Sequence, residues 1–267
     1  MKLKSSCSDN EEYPSFCFQA ANDDQIYATF RRHAIYTSIV ETVSKESGQD
    51  YFQMALSQNH LLRNHLNDFV TSENVGSPYT FPYKHNFFSR KYLFSPTTLR
   101  YIKVLSDLLQ FFGSLDGMNI VEIGGGYGGL CKIISDFSRI ESYTLVDLKP
   151  ALDLSKRFLN EFSINNVGYI TEKDLSCVKQ YDLVISNYAF SEICRDTQNL
   201  YMKNILEKSS RGYLLCNFKS HTWQNSQMDA NDFKCTINNV SLFANHPILS
   251  KLDLSAGIEL ITWGINS

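Results

Sequence analysis

The chain has few cysteines, few prolines and no long apolar run. It contains 7 cysteines and 6 prolines among 267 residues. The cysteines are odd in number and no two have C-x-x-C spacing, so they signal neither a disulfide framework nor a zinc site. No segment approaches the roughly 18 apolar residues of a membrane span, and the N-terminus lacks the apolar core of a secretory signal. We therefore expect a cytoplasmic protein with no membrane span.

An excess of positive charge is also missing. The formal net charge is −3, which gives no general attraction to nucleic acid. Hydrophobic residues make up 43% of the chain and charged residues 20%, as in globular proteins. A chain of this length can bury one substantial core with a small additional lobe. We predict no nucleic-acid partner, and the sequence leaves the oligomeric state open.

From residue 97 to residue 267, short apolar runs alternate with amphipathic segments. The runs are suited to buried parallel strands and cover 118–123, 142–148, 167–171, 181–187 and 211–218. Predicted helices cover 129–138, 150–163 and 196–209, after a first helix that starts near Thr97 and ends at Gly113. This alternation predicts an α/β fold, a Rossmann-like doubly wound sheet that is mostly parallel. A C-terminal antiparallel strand is predicted at 258–265, with 234–240 as its partner.

Residues 1–96 form a predicted N-terminal region of helices and loop. Residues 1–20 are polar and are expected to be loose or loosely docked, and the apolar spacing predicts helices over 23–48 and 51–70. Residues 71–96 combine prolines with many aromatics, which predicts an ordered loop. We expect this region to cover or flank a binding pocket in the domain that follows.

A glycine-rich loop follows the first strand of that domain. Its glycines let the backbone approach a ligand closely, and the helix that follows offers free N–H groups. Gly124, Gly126 and Gly129 match the dinucleotide pattern G-x-G-x-x-G, whereas Glu122 with Gly124, Gly126 and Gly128 matches E-x-G-x-G-x-G of methyltransferases that use S-adenosylmethionine. A carboxylate before the glycines favours the cationic methyl donor. The predicted cofactor contacts in this loop are Glu122, Gly124, Gly125, Gly126, Tyr127 and Gly128.

Three polar residues follow the next strands, at the edge where open α/β sheets bind ligands. Asp147 ends the second strand, where it can accept both ribose hydroxyls of an adenosyl group; a cap of the next helix is the alternative, and the position after the glycine loop favours the ribose role. Asp174 follows the third strand, on the side expected for adenine, and an ordinary turn is its alternative. Asn187 ends the fourth strand and is predicted to contact the methionine end of the donor.

Acceptor and catalytic residues are predicted from the next loops. Tyr188 and Phe190 are candidates for the acceptor wall, and Glu192 for the base that deprotonates the acceptor. His221 follows the fifth strand and is the first choice for that base, because imidazole titrates near neutral pH. His85, in the aromatic loop, is a further candidate for substrate contact. Mg²⁺ is conceivable, but no pair of carboxylates signals it.

The segments VEIGGGYGGL, LVDL and SNYAFSE resemble the sugar O-methyltransferase family of bacterial glycoside and polysaccharide gene clusters. SPTTLRYIKVLSDLL resembles the helix before that family's core, and the likeness covers about residues 85–265. The resemblance implies S-adenosylmethionine as cofactor and a sugar or glycan hydroxyl as acceptor. It also implies cofactor contacts at Glu122, Gly124, Gly126, Asp147 and Asn187, with Tyr188 and Glu192 on the acceptor side.

Three other functions remain open at this point. An NAD-dependent oxidoreductase would use the same glycine loop and the same ribose acid. A methyltransferase for a peptide or another small molecule would share every donor motif. A non-catalytic protein that binds S-adenosylmethionine and regulates a partner enzyme would do so as well.

Overall fold

The structure is a computed structural model that describes residues 11–86, 90–177, 180–218, 228–243, 249–250 and 257–265. The N-terminal region contains five short helices and a two-stranded antiparallel sheet. The helices are α1 (Glu12–Asn22), α2 (Asp24–Tyr27), α3 (Ala34–Thr37), α4 (Lys45–Gln58) and α5 (Leu66–Phe69), with 3-10 turns at Phe30–Arg32, His60–His65 and Val70–Asn74. The strands are β1 (Phe81–Tyr83) and β2 (Tyr92–Phe94).

The remainder of the chain forms a seven-stranded sheet flanked by helices. Its strands are β3 (Asn119–Ile123), β4 (Ser142–Val146), β5 (Val167–Ile170), β6 (Tyr181–Asn187), β7 (Ser209–Cys216), β8 (Ser241–Phe243) and β9 (Glu259–Trp263). Its helices are α6 (Pro96–Phe112), α7 (Gly129–Phe137), α8 (Lys149–Asn160), α9 (Ala189–Glu192), α10 (Arg195–Asn204) and α11 (Ala230–Thr236), with 3-10 turns at Glu172–Cys177 and Leu206–Lys208.

The strand order in the sheet is β5-β4-β3-β6-β7-β9-β8. Strands β3 to β7 pair in parallel, and β9 runs antiparallel to both β7 and β8. The predicted Rossmann-like sheet, mostly parallel with a C-terminal antiparallel strand, is confirmed. The strand order reverses between β3 and β6, so a crevice opens there at the carboxyl ends of the strands.

Helix α6 links the N-terminal region to the sheet. Ser95 caps it by accepting a hydrogen bond from the N–H of Thr98 at 3.2 Å, and Pro96 occupies its first turn. Gly113 ends it with a φ of 74°. The helix packs against α4 on one side and α7 on the other, and residues before and after position 96 share one hydrophobic core. The division at residue 96 stays a prediction.

The N-terminal predictions need three corrections. The single helix predicted over 51–70 is interrupted, because α4 ends at Gln58 and a 3-10 turn separates it from α5. Residues 12–22 are not loose, because they form α1, which buries Tyr13, Phe16 and Cys17 and packs on α8. The single helix predicted over 23–48 is wrong. The chain there makes α2, a 3-10 turn and α3, and it turns so that Phe30 and Tyr36 pack edge-on against each other in the core.

The C-terminal strand has a different partner from the one predicted. Residues 230–236 form α11, because Asp229 and Asp232 make a reciprocal capping box at its start. On the side away from β7, the strand that pairs with β9 is β8, which begins only at Ser241. Within the described residues, no helix combines the length and the apolarity that crossing a membrane requires.

Candidate functional site

One cavity of about 840 Å³ lies at the carboxyl ends of β3, β4 and β6. Its floor is made by the ends of these strands and the loops that follow them. Its other walls come from α1, the segment 38–43, α4 and α6. Of the predicted site residues, it brings together Glu122, Gly124, Gly125, Gly126, Asp147, Asn187, Tyr188 and Glu192.

The glycine loop is shaped by backbone that other residues rarely adopt. Gly124 has a φ of 79°, and a Cβ placed on it would lie 2.1 Å from the Cβ of Ala189. Glycine at this position therefore allows β3 and α9 to approach each other. Gly126 has a φ of 55° and lines the cavity, where a Cβ would make only ordinary contacts, with Val40 at 3.6 Å and the Tyr36 hydroxyl at 4.0 Å. The loop thus leaves room for a ligand at Gly126.

Asp147 joins this loop to the end of β4. Its Oδ2 accepts a hydrogen bond from the backbone N–H of Gly126 at 3.1 Å, and its Oδ1 accepts one from Leu148 at 2.7 Å. Leu148, not Asp147, is the N-cap residue of α8. Burial raises the pKa of Asp147 to about 6, against the lowering effect of these two N–H groups. A carboxylate on the cavity wall that is held by backbone donors is a preformed acceptor for hydroxyls.

Glu122 is a buried acid at the end of β3. Only 2% of the residue is exposed, and its Oε2 accepts a hydrogen bond from the Tyr143 hydroxyl at 2.8 Å. Burial raises its pKa to about 7, the Tyr143 hydroxyl lowers it, and the charge of Asp147 raises it further. Asn187 and the cation of Arg100 also lower it. A bound cation would compensate this costly buried charge.

The loop after β6 carries strain and an unpaired amide. Both Nδ2 and Oδ1 of Asn187 are buried and make no hydrogen bond of normal geometry to a described residue, although the amide lies close enough to Glu122 to lower the pKa of that acid. Tyr188 follows with a φ of 69°, which is rare for an aromatic residue. Its N–H bonds to the Leu215 carbonyl at 2.8 Å, which fixes the turn. Backbone strain and an orphaned amide on a cavity wall are typical of ligand sites.

Glu192 lies at the end of α9, on the same cavity. Burial raises its pKa, whereas the nearby cation of Arg100 lowers it. A carboxylate with a raised pKa is a better proton acceptor than an exposed one.

Four predicted residues are placed away from the cavity wall. Tyr127 is fully buried and packs edge-on against Phe158, and Phe190 is fully buried and packs against Phe233. His85 is 1% exposed beside Phe52. Gly128 begins α7 in the left-handed conformation. These positions suit core and turn residues.

Asp174 and His221 differ from those four. Asp174 is exposed and accepts hydrogen bonds from the N–H and hydroxyl of Thr171, which lower its pKa. Its neighbours Thr171, Glu172 and Lys173 line the cavity, and Asp174 itself does not. His221 lies outside the described residues.

Sequence reasoning missed several residues of the wall. Tyr13 reaches it from α1, Tyr51 from α4, and Arg100 and Tyr101 from α6. Asn217 reaches it from the end of β7. Of these five residues, Asn217 lies at the end of a predicted strand and so carried a usable signal. No group of three His, Cys, Asp or Glu side chains in the described parts of the chain could hold a metal ion.

Comparisons with known proteins give a fold likeness alone. No protein-family model matches the chain, and no curated protein matches it. A candidate sarcosine dimethylglycine methyltransferase from Galdieria sulphuraria is 16% identical with a TM-score of 0.39. That match covers 45% of this chain and 48% of the other, so the chain spans about half of that structure's length.

Two further solved structures are similar at the same low level. The methyltransferase domain of bacterial CtHen1 is 11% identical with a TM-score of 0.45, covering 63% of this chain and 97% of that one. An rRNA methylase from Streptococcus thermophilus is 15% identical with a TM-score of 0.41, and the match covers 58% of this chain and 90% of that one. The fold of this chain is read from its own strand order, which is that of a Rossmann-like sheet with one antiparallel strand near its edge.

Proposed function

We propose that this chain is an S-adenosylmethionine-dependent methyltransferase that acts on a sugar hydroxyl. The observation that carries the proposal is that a single cavity gathers Glu122, Gly126, Asp147 and Asn187 at the reversal point of the sheet. One ligand in this cavity could contact the carboxyl groups of Glu122 and Asp147, the backbone of Gly126 and the side-chain amide of Asn187. The cationic donor uses all of these, whereas a pyrophosphate gains nothing from Glu122.

The residues present fit this donor. Asp147 would accept the ribose hydroxyls, and its bond to Gly126 presents the glycine loop beside them. Glu122 and Asn187, at the ends of β3 and β6, would hold the charged methionine end. The buried amide of Asn187 would gain a hydrogen-bond partner from a polar ligand. The buried carboxyl of Glu122, whose pKa is raised, would be stabilised in its ionised form by a cation. When bound, this group supplies an electrophilic methyl on a sulfonium.

The protein's own contribution is positioning and proton acceptance. An alcohol is a weak nucleophile, so a base must take its proton during attack. Glu192 is the described acid on the acceptor side of the cavity, and burial raises its pKa toward the working range. His221, the first choice from the sequence, lies outside the described residues and stays a candidate. Holding both reactants in one cavity contributes about 7 kcal/mol through effective concentration when they are well oriented.

The sugar acceptor is supported by the resemblance of SNYAFSE and by the character of the wall. Tyr51, Tyr101 and Tyr188 line the same cavity as Glu192. Tyrosine rings offer a flat apolar face with a polar edge, and a sugar ring also has both kinds of surface. Cytoplasmic location also belongs to this proposal.

The test is transfer of a labelled methyl group from S-adenosylmethionine to a panel of acceptors. The panel contains nucleotide sugars, host glycans, a peptide mixture and small amines. The proposal expects label in a sugar, and Asn187→Ala, which removes a donor contact, should reduce it. Label in the peptide or amine would keep the donor and exclude the sugar. Failure to label any acceptor, together with hydride exchange from NADH, would favour the oxidoreductase.

A further inference from the structure

We infer that Arg100 binds the carboxylate of the donor's methionine end and thereby selects for ligands that carry the intact amino acid. This inference rests on the proposed function. It assigns a specificity role to a residue of α6, which lies before the sheet and outside the glycine loop.

Arg100 is a cation on the cavity wall that uses only part of its hydrogen-bonding capacity. Its Nε is buried and has no hydrogen-bond partner among the described residues. One guanidinium N–H reaches the Val40 carbonyl at 3.4 Å, the long limit of such a bond, and the side chain of Tyr101 also hydrogen bonds to the guanidinium. Among the described salt bridges none involves Arg100. A guanidinium has five donors, so N–H groups remain for a ligand.

Two tyrosines fix the orientation of the guanidinium. Its carbon lies 5.7 Å from the centre of the Tyr101 ring and 5.5 Å from that of Tyr188. Both rings line the same cavity. Stacking of this kind holds the planar group without using its N–H donors. The guanidinium can then donate two parallel N–H hydrogen bonds to the two oxygens of a carboxylate.

The neighbours of Arg100 suit the donor's amino acid. In methionine the ammonium and the carboxylate are bonded to the same carbon, so the residues that bind them must be neighbours. The charge of Arg100 acts on Glu122, the acid assigned to the ammonium, and also on Glu192. Glu122 and Arg100 form an anion and a cation on one wall, complementary to an amino acid in its charged form. Because Arg100 also acts on Glu192, binding of the donor and KM for the acceptor are measured separately.

The test compares two ligands that differ only at this end. S-adenosylhomocysteine carries the amino acid, whereas 5′-methylthioadenosine has the same adenosyl thioether without it. Calorimetry is done with wild type, Arg100→Met and Arg100→Lys. We expect Arg100→Met to weaken S-adenosylhomocysteine binding about 10- to 100-fold and to change methylthioadenosine binding less than about twofold. Arg100→Lys should fall between, because it keeps the charge and loses the fork.

Arg157→Met is the matched control. Arg157 also lies over a tyrosine, Tyr27, at 3.9 Å, but it is not on the cavity wall. The Arg157→Met variant should bind both ligands with wild-type affinity. Equal weakening of both ligands by Arg100→Met would show a structural role and overturn the inference. Unchanged binding of both ligands with a raised KM for an acidic acceptor would assign Arg100 to the acceptor and also overturn it. Wild type that fails to bind S-adenosylhomocysteine would instead overturn the proposed function itself.

Discussion

The carboxylate of Asp147 accepts a hydrogen bond from the backbone N–H of Gly126 at 3.1 Å, so the end of β4 holds the glycine loop that follows β3. This bond joins the two segments that the sequence singled out separately. It also means that the acid proposed for the ribose has a second task, because it orients the backbone beside the ligand.

Asp147→Ala is expected to weaken S-adenosylhomocysteine binding by about 1–3 kcal/mol, because two ribose hydroxyls lose a charged acceptor and the loop loses its anchor. Asp147→Asn should weaken it less, since its amide oxygen can still accept from Gly126. Isothermal titration measures both. A lower melting temperature with unchanged affinity would show that Asp147 serves only the fold.

Gly126→Ala tests the open backbone. Gly126 and Gly117 both have positive φ, 55° and 72°, and an added Cβ has no severe contact at either. Both alanine variants should therefore lose about 1 kcal/mol of stability from the left-handed backbone. Only Gly126→Ala should also weaken ligand binding, because only Gly126 lines the cavity. Equal affinities in the two variants would contradict the loop's role. Gly126→Val should abolish binding.

The pH dependence of binding follows from Glu122. Its pKa is raised from 4.5 to about 7 in the ligand-free fold, so the folded state holds a proton that the unfolded chain releases. The contribution of this group to stability is therefore present at low pH and is lost as pH rises from about 4.5 through 7. A bound ammonium favours the ionised acid, so affinity for S-adenosylhomocysteine should rise between about pH 6 and 8.

Glu122→Gln is the control for this pH effect. The Glu122→Gln variant should bind S-adenosylhomocysteine more weakly, and most of the increase of affinity with pH should disappear. A smaller increase at lower pH should remain, because Asp147 has a pKa of about 6. Calorimetry across this range decides the matter. An affinity that stays flat between pH 5 and 8 in wild type would show that Glu122 does not meet a cation.

Glu192→Gln tests the base. A general base contributes about 10²- to 10⁴-fold, so kcat should fall by that factor while donor affinity stays nearly unchanged. Because the pKa of Glu192 is raised by burial, wild-type kcat should rise with pH as the carboxylate ionises. His221→Ala is measured in parallel. If only His221→Ala loses kcat, Glu192 orients the acceptor, and if neither variant does, the base lies elsewhere.

The sequence predicted the sheet well because each parallel strand is a short apolar run between turns. Glu122, Asp147 and Asn187 could be placed for the same reason, since each ends such a strand and the sheet brings these ends together. The prediction failed where apolar spacing is ambiguous. Residues 234–240 alternate as a strand would, but the capping box at Asp229 starts a helix there.

The N-terminal contribution to the site could not be read from spacing. Tyr13 and Arg100 reach the cavity through tertiary packing of α1 on α8 and of α6 on α4. Tyr13 belongs to no motif, and Arg100 lies in the segment SPTTLRYIKVLSDLL, whose resemblance to a family helix assigned no site residue. Tyr127 shows the opposite error, because it stands inside the motif and yet its ring packs into the core, with Arg31 4.7 Å above it.

The central claim is that the cavity binds a charged adenosyl amino acid, and titration of the wild-type protein tests it most directly. S-adenosylhomocysteine and NADH are titrated separately at pH 8, where Glu122 is ionised. The account predicts saturable binding of S-adenosylhomocysteine at one site per chain and no saturable binding of NADH. Tighter binding of NADH, or no binding of S-adenosylhomocysteine, would contradict it.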